Sequence, residues 1–255
     1  MTRIERSFRT PAIILKRRDF GEADRILTII TPERGKLDVI AKGARKPTSQ
    51  RTGHVELFTR ADMLIHTGRD LGIVVQAEMV EPFLALREDL TRGAYASYVA
   101  ELLDRFTGEA DEGYAELFTL LDSTLLRLCS DSDPRLAVRY YEVRLLDIVG
   151  FRPELQECVV SREPIEAEDQ FFSYMLGGVV KPGYAHEGAA LTRISMVTLK
   201  LLRHMQRSAY SQVKSLQIAP GLHDDAERVL LGYITALLER KLQSVDFIRR
   251  VRQGT

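Results

Sequence analysis

The spacing of apolar residues changes period once, at Glu81-Pro82, and that change restricts the chain to a β-rich head joined to a helical body. Before that point, Ala12–Lys16, Arg25–Thr31, Lys36–Lys42, Val55–Ile65 and Ile73–Met79 read as strands. Gly21, Thr31-Pro32, Gly35, Gly43, Pro47, Gly53, Gly68 and Gly72 punctuate them with turn signals. In the third run Leu37, Val39 and Ala41 alternate with Lys36, Asp38, Ile40 and Lys42, so one face is apolar and the other carries two lysines. Five short strands in about 80 residues fit a small closed barrel, for which the OB-fold is the common five-stranded solution.

Beyond Pro82 the period lengthens to that of an amphipathic helix. Phe83, Leu86, Leu90, Ala94, Tyr98, Leu102 and Phe106 form one stripe, and Leu117, Leu120, Leu121, Thr124 and Leu128 form a second. Asp133-Pro134 is an N-cap with proline in the first turn, predicting a helix that Gly150 ends. Leu191, Ile194, Val197, Leu201, Leu202 and Met205 predict a further helix, and Val229, Leu230, Tyr233, Ile234, Leu237 and Leu238 another. The arginine-rich tail, Phe247 to Thr255, is expected to fray at its end. Residues 151–190 hold Pro153, Pro164, Gly177-Gly178, Pro182, Gly183 and Gly188, too many breakers for a long helix, and Phe171-Phe172-Ser-Tyr174 reads as a strand. The expected organisation is an α+β chain: an OB barrel domain at 1–80, an all-α domain at 81–150 and 191–255, and a small insertion at 151–190.

Charge separates along the same boundary. The chain has 36 basic and 36 acidic side chains, yet residues 1–80 carry 15 against 10 and residues 81–255 carry 21 against 26. A basic head suggests an anionic partner for the barrel. Lys16, Arg17 and Arg18 end the first strand, Arg34 and Lys36 open the third, and Lys42, Arg45, Lys46 and Arg51 cluster at and beyond its end. If strand ends and loops converge on one groove, these nine cations form the stripe that phosphate binding requires; the competing account is that they serve solubility. Only Phe8, Phe20 and Phe58 are aromatic in the first 80 residues, and each could equally be core. The sparse supply points to backbone-dominated binding of single and double strands.

Signs of catalysis are scarce. The sequence has no phosphate-binding P-loop, no dinucleotide fingerprint, no HExxH and no GxSxG elbow. The five histidines lack metal-ligand spacing, and Cys129 and Cys158 cannot on their own supply a four-thiolate zinc site. Neither a signal peptide nor a run of ~18 apolar residues is present, so a cytoplasmic protein with no membrane partner is expected.

Several stretches resemble the RecO family of bacterial recombination mediators. They are Ala12-Ile-Ile-Leu-Lys16, Phe20-Gly-Glu-Ala-Asp24-Arg-Ile-Leu-Thr28, Gly35-Lys36, Ala41-Lys-Gly-Ala-Arg45-Lys46, Leu71-Gly72, Gln76-Ala77-Glu78, Glu81-Pro82-Phe83 and Arg139 through Leu155. The resemblance runs in order along nearly the whole chain. It implies an OB domain followed by a helical one, no enzymatic activity, and a nucleoid-associated protein of DNA repair and recombination. It further implies binding of single- and double-stranded DNA, annealing of complementary strands coated by single-strand-binding protein, and work with RecR in loading RecA. Lys42, Arg45 and Lys46 lie in the matching motif and are the best-placed DNA contacts.

Two further expectations follow from the resemblance. Many family members carry a four-cysteine zinc module in the insertion. Here the matching positions are Cys158, Ser161, Lys181 and Tyr184, a set that predicts no metal and leaves the insertion to be held by Phe171, Phe172, Tyr174 and Tyr184, with His186 a remote replacement ligand. The family also recognises the acidic, Phe-ended tail of single-strand-binding protein, which needs cations beside an apolar pocket. Arg135 and Arg139, with Tyr140 nearby, are the candidates. Two other readings remain open: a protein-interaction adaptor whose basic barrel faces an acidic protein, and a metal-dependent hydrolase, which the missing motifs disfavour.

Overall fold

The computed structural model describes residues 6–46, 52–68, 71–108, 113–185 and 190–254. Five strands close into a barrel: β1 (Ser7–Phe20), β2 (Asp24–Thr31), β3 (Gly35–Ala41), β4 (Arg60–His66) and β5 (Gly72–Glu81). Their order around the barrel is β1-β2-β3-β5-β4, with β3 and β5 parallel and all other neighbours antiparallel. This is the OB-fold expected from the strand spacing. Ala12, Ile14, Leu27, Ile29, Val39, Ala41, Ala61, Met63, Ile65 and Val74 fill its interior, supplied by alternate residues along each strand.

β1 is longer than the expected Ala12–Lys16. A register shift between Ile14 and Lys16 bends it, and Lys16 to Phe20 continue the pairing with Asp24 to Thr28 while all five lie exposed. Their polar character conceals the strand from an apolar-period reading. β4 begins later than expected, because Phe58 at φ 65° breaks the extended chain after a short 3-10 turn at Thr52–Val55.

The chain divides into two compact units, Met1–Asp131 with Ser244–Thr255, and Ser132–Gln243. The first adds four helices to the barrel: α1 (Ala85–Glu88), α2 (Leu90–Phe106), α3 (Tyr114–Ser130) and, by the chain numbering of helices, α8 (Gln243–Gly254). Asp89 separates α1 from α2 by accepting the Thr91 and Arg92 amides, which divides the first expected helical stripe. The arginine-rich tail is helical as far as Gly254: Glu101 accepts from the Ser244 amide and hydroxyl, and Arg252 donates to the Tyr95 hydroxyl at 3.1 Å.

The second unit holds α4 (Pro134–Ile148), α5 (Met196–Arg207), α6 (Tyr210–Lys214) and α7 (Pro220–Leu238). Its three-stranded sheet has β6 (Gln170–Ser173) between β7 (Gly178–Val180) and β8 (Leu191–Ile194). Leu191 and Ile194 thus belong to a strand, and Ser195 starts α5 by capping Thr198. A four-residue strand followed at once by a helix imitates one helical stripe. Within this unit Phe172 packs edge-on against Tyr233 of α7, and the Tyr174 hydroxyl donates to the Arg228 carbonyl. Tyr184 is exposed and plays no such part.

Candidate nucleic-acid interface

The site is assembled where the β1–β2 hairpin tip meets the turn after β3. Gly21 at φ 59° and Gly43 at φ 67° permit the two reversals. Four interactions tie them together: the Gly43 amide donates to the Asp24 carboxylate at 2.8 Å, the Arg45 amide to the Ala23 carbonyl at 2.9 Å, and the Arg45 guanidinium to the Gly21 carbonyl at 3.3 Å, with Asp19 3.5 Å away. Residues distant in sequence thereby present Arg17, Arg18, Lys42, Arg45 and Lys46 at one end of the barrel, all exposed.

Carboxylates are interleaved with these cations. Arg17 pairs with Glu56, as does Arg25 at 3.1 Å; Arg18 lies 3.9 Å from Asp38. The Arg18 side chain is 68% exposed, and an ion pair in that setting contributes about 0–1 kcal/mol. A phosphate can therefore replace its carboxylate partner at little cost.

Of the other predicted cations among the described residues, Lys16, Arg34 and Lys36 do not join this cluster. Lys36 is three-quarters or more buried and donates to the Asp104 and Thr107 carbonyls at 2.7 and 2.6 Å, where α2 ends. Its ammonium satisfies carbonyls that the helix leaves without amide partners and lies at the negative end of the helix dipole. Asp104 also takes Lys16. Burial works to raise the Asp104 pKa, but hydrogen bonds and charge from Lys16 and Lys36 outweigh it and hold the carboxyl below the usual range. Arg34 sits at the opposite end of β2 and β3, about 20 Å away by strand rise, with its guanidinium 3.9 Å from the centre of the Phe8 ring. Arg51 lies outside the described residues, as does His186.

In the second unit the expected tail-binding cations have ion-pair partners within the protein. Arg139 is 5% exposed and pairs with Glu142 at 2.9 Å and Glu227 at 3.6 Å, while Arg135 pairs with Asp224. Tyr140 donates to the Ser208 carbonyl and packs on Tyr210.

The donor set of the insertion does not fit zinc. Cys158 sulfur accepts amide hydrogens from Ser161 and Lys181, the two turns that a metal knuckle would use. But the Lys181 ammonium stands there instead of a thiolate and pairs with Glu163 at 2.9 Å and Glu166 at 3.6 Å. A cation, a hydroxyl and an exposed phenol cannot replace three thiolates.

Comparison with known proteins agrees with this architecture along its length. The family model for the recombination protein O N terminus matches residues 4–83, and that for its C terminus matches residues 87–246. The chain belongs to the RecO family. DNA repair protein RecO of Roseiflexus sp. (strain RS-1) is 39% identical over 249 residues, covering 98% of this chain and 87% of that protein. The RecO of Symbiobacterium thermophilum is 33% identical, covering 97% and 98%, and that of Heliobacterium modesticaldum 37%, covering 96% and 90%. As a RecO-family DNA repair protein, the chain has among its described residues no helix long and apolar enough to cross a membrane.

Sequence reasoning missed Asp104. The carboxylate lies 88 and 68 residues from the two lysines it holds, and no local pattern links them.

Proposed function

We propose that the chain is a recombination mediator that binds single- and double-stranded DNA at the hairpin-tip end of its barrel. It draws complementary strands together and works with RecR to place RecA on DNA coated by single-strand-binding protein. The observation that carries this reading is the stapling of the β1–β2 hairpin to the turn after β3, which gathers exposed cations from two segments in a family of DNA repair proteins. Those cations would neutralise phosphates and release counterions, reducing repulsion between two backbones until base pairing takes over. No nucleotide hydrolysis is required for that step.

Arg18, Lys42 and Lys46 are the residues to replace together with alanine, since Arg45 also holds the hairpin. The slope of log affinity against log salt for a single strand should become shallower by about 2, with slower annealing of complementary oligonucleotides. Unchanged affinity and slope would refute the assigned face. If the native protein binds neither DNA form at low salt, the barrel is a protein adaptor instead.

A further inference from the structure

We propose that Phe20 is a stacking platform for one unpaired nucleobase, set among the cations that hold the neighbouring phosphates. The inference rests on the DNA-binding reading above and names the part of the ligand that the barrel recognises beyond its backbone.

Of the three aromatic side chains before residue 80, the structure removes two from consideration. Phe58 is 5% exposed, and Phe8 lies beneath the Arg34 guanidinium. Phe20 is 51% exposed, and it is the only large apolar side chain of β1–β3 that is so exposed among the described residues.

Its position is fixed from both sides. Phe20 pairs with Asp24 in the last rung of the hairpin, and Asp24 in turn accepts the Gly43 amide. The ring is thus mounted on the same rigid junction as the turn carrying Lys42, Arg45 and Lys46. No register shift occurs between Lys16 and Phe20, so Arg18 and Phe20 occupy the same face of β1, about 7 Å apart along the strand. That separation suits a base on the ring and its own backbone phosphate on the guanidinium. Across the sheet the same face carries Ile26, which is buried, and the partly buried Ile40 opposite Arg18, and Thr28 and Asp38 opposite Lys16, so Phe20 is the apolar side chain left open on it.

The surroundings favour a nucleobase over a protein side chain. A lone ring amid arginine, lysine and carboxylate offers too little apolar area to hold a protein partner, but it matches the flat face of one base. Duplex bases are stacked on each other and cannot reach the ring, so the contact distinguishes an open strand from a closed one. In an annealing protein this would hold one base of an unpaired strand and release it when pairing completes.

Two variants test the proposal. The chain contains no tryptophan, so Phe20→Trp provides a single indole at the site, excited selectively over the nine tyrosines. Oligothymidylate should quench its emission, and a duplex of equal length should do so much less, with binding followed independently by anisotropy of a labelled oligonucleotide. In Phe20→Ala, single-strand affinity should fall roughly 5- to 100-fold while the salt slope is unchanged, because stacking carries no charge. Duplex affinity should stay within about twofold of the native protein. Single-strand binding without quenching in Phe20→Trp, or undiminished single-strand affinity in Phe20→Ala, overturns the platform while leaving the DNA-binding reading intact. Equal losses for single strand and duplex also overturn it. Loss of binding to purified RecR with normal single-strand affinity would make Phe20 a protein contact. Failure of the native protein to bind either DNA form removes the reading on which the platform depends.

Discussion

Replacing Lys36 with methionine separates a structural cation from a DNA-binding one. The native ammonium donates to the Asp104 and Thr107 carbonyls at 2.7 and 2.6 Å and lies 3.4 Å from the Asp104 carboxylate. Its side chain is 18% exposed, and that of Asp104 is 13% exposed. Net of exchange with water, a hydrogen bond with a charged partner contributes about 1.5–3 kcal/mol, and water reaching this partly exposed site in the variant restores some of the loss. Methionine retains the aliphatic stem and part of its packing. Loss of the ammonium should cost about 2–4 kcal/mol. Lys16→Met removes a half-exposed pair to the same carboxylate and should cost less than about 1 kcal/mol. Urea unfolding followed by circular dichroism gives the difference, and hydrogen exchange should show the loss of protection concentrated in the last turn of α2. DNA affinity and salt slope of Lys36→Met, measured well below its unfolding transition, should remain within about twofold of native. A stable Lys36→Met protein with a salt slope shallower by about 0.7 would refute the capping argument and return Lys36 to the DNA interface.

Other perturbations test different parts of the fold. Gly35→Ala places a Cβ 2.3 Å from Tyr114 ring atoms at φ +67°, so it should cost about 2–4 kcal/mol in urea unfolding; Tyr114→Ala in the same chain should return the packing share but not the backbone share. Burial lowers the His223 pKa, and Arg135 and Arg139 lower it further, although Asp133 lies 2.8 Å from Nε2 and opposes the shift. The unfolded chain therefore takes up a proton below pH 6.5 that the folded form resists, so stability should fall as pH falls through this range. His223→Gln should flatten that dependence in urea titrations; an unchanged dependence would assign it to other groups. Dialysis against a zinc chelator should leave the unfolding midpoint unmoved, and a drop would mean that donors beyond Cys158 complete a metal site.

The barrel was legible because each strand exposes one face to a core, so period-two apolar runs and glycine-marked turns reported it directly. The hairpin extension was not, since Lys16 to Phe20 are exposed on both faces and carry no apolar alternation. Nor could the sequence separate Leu191 and Ile194 from α5, because a short strand ending at an N-cap serine can mimic helical spacing. The last helix escaped detection for another reason: the side chains that fix it, Glu101 and Tyr95, are 143 and 157 residues away from their partners. Lys42, Arg45 and Lys46 stood out as a cluster in sequence. The staple that gives them Arg17 and Arg18 as neighbours depends on backbone groups, which leave no compositional trace.

The sorting of the basic residues shows why formal charge is a poor guide to this interface. Lys36 and Arg18 each face a carboxylate, and sequence assigns both to the same class. At Lys36 both partners are largely withdrawn from water, so separating them would leave a charge and two carbonyls poorly solvated. At Arg18 both remain in water, and exchanging Asp38 for a phosphate substitutes one anion for another. Burial therefore decides which pair is a structural tie and which is an exchangeable contact. Arg18 thus enters the proposed interface as a cation whose internal partner competes weakly, and the affinity there should be modest and strongly dependent on salt. Such weak holding suits an annealing protein, which must release both strands once they have paired with each other.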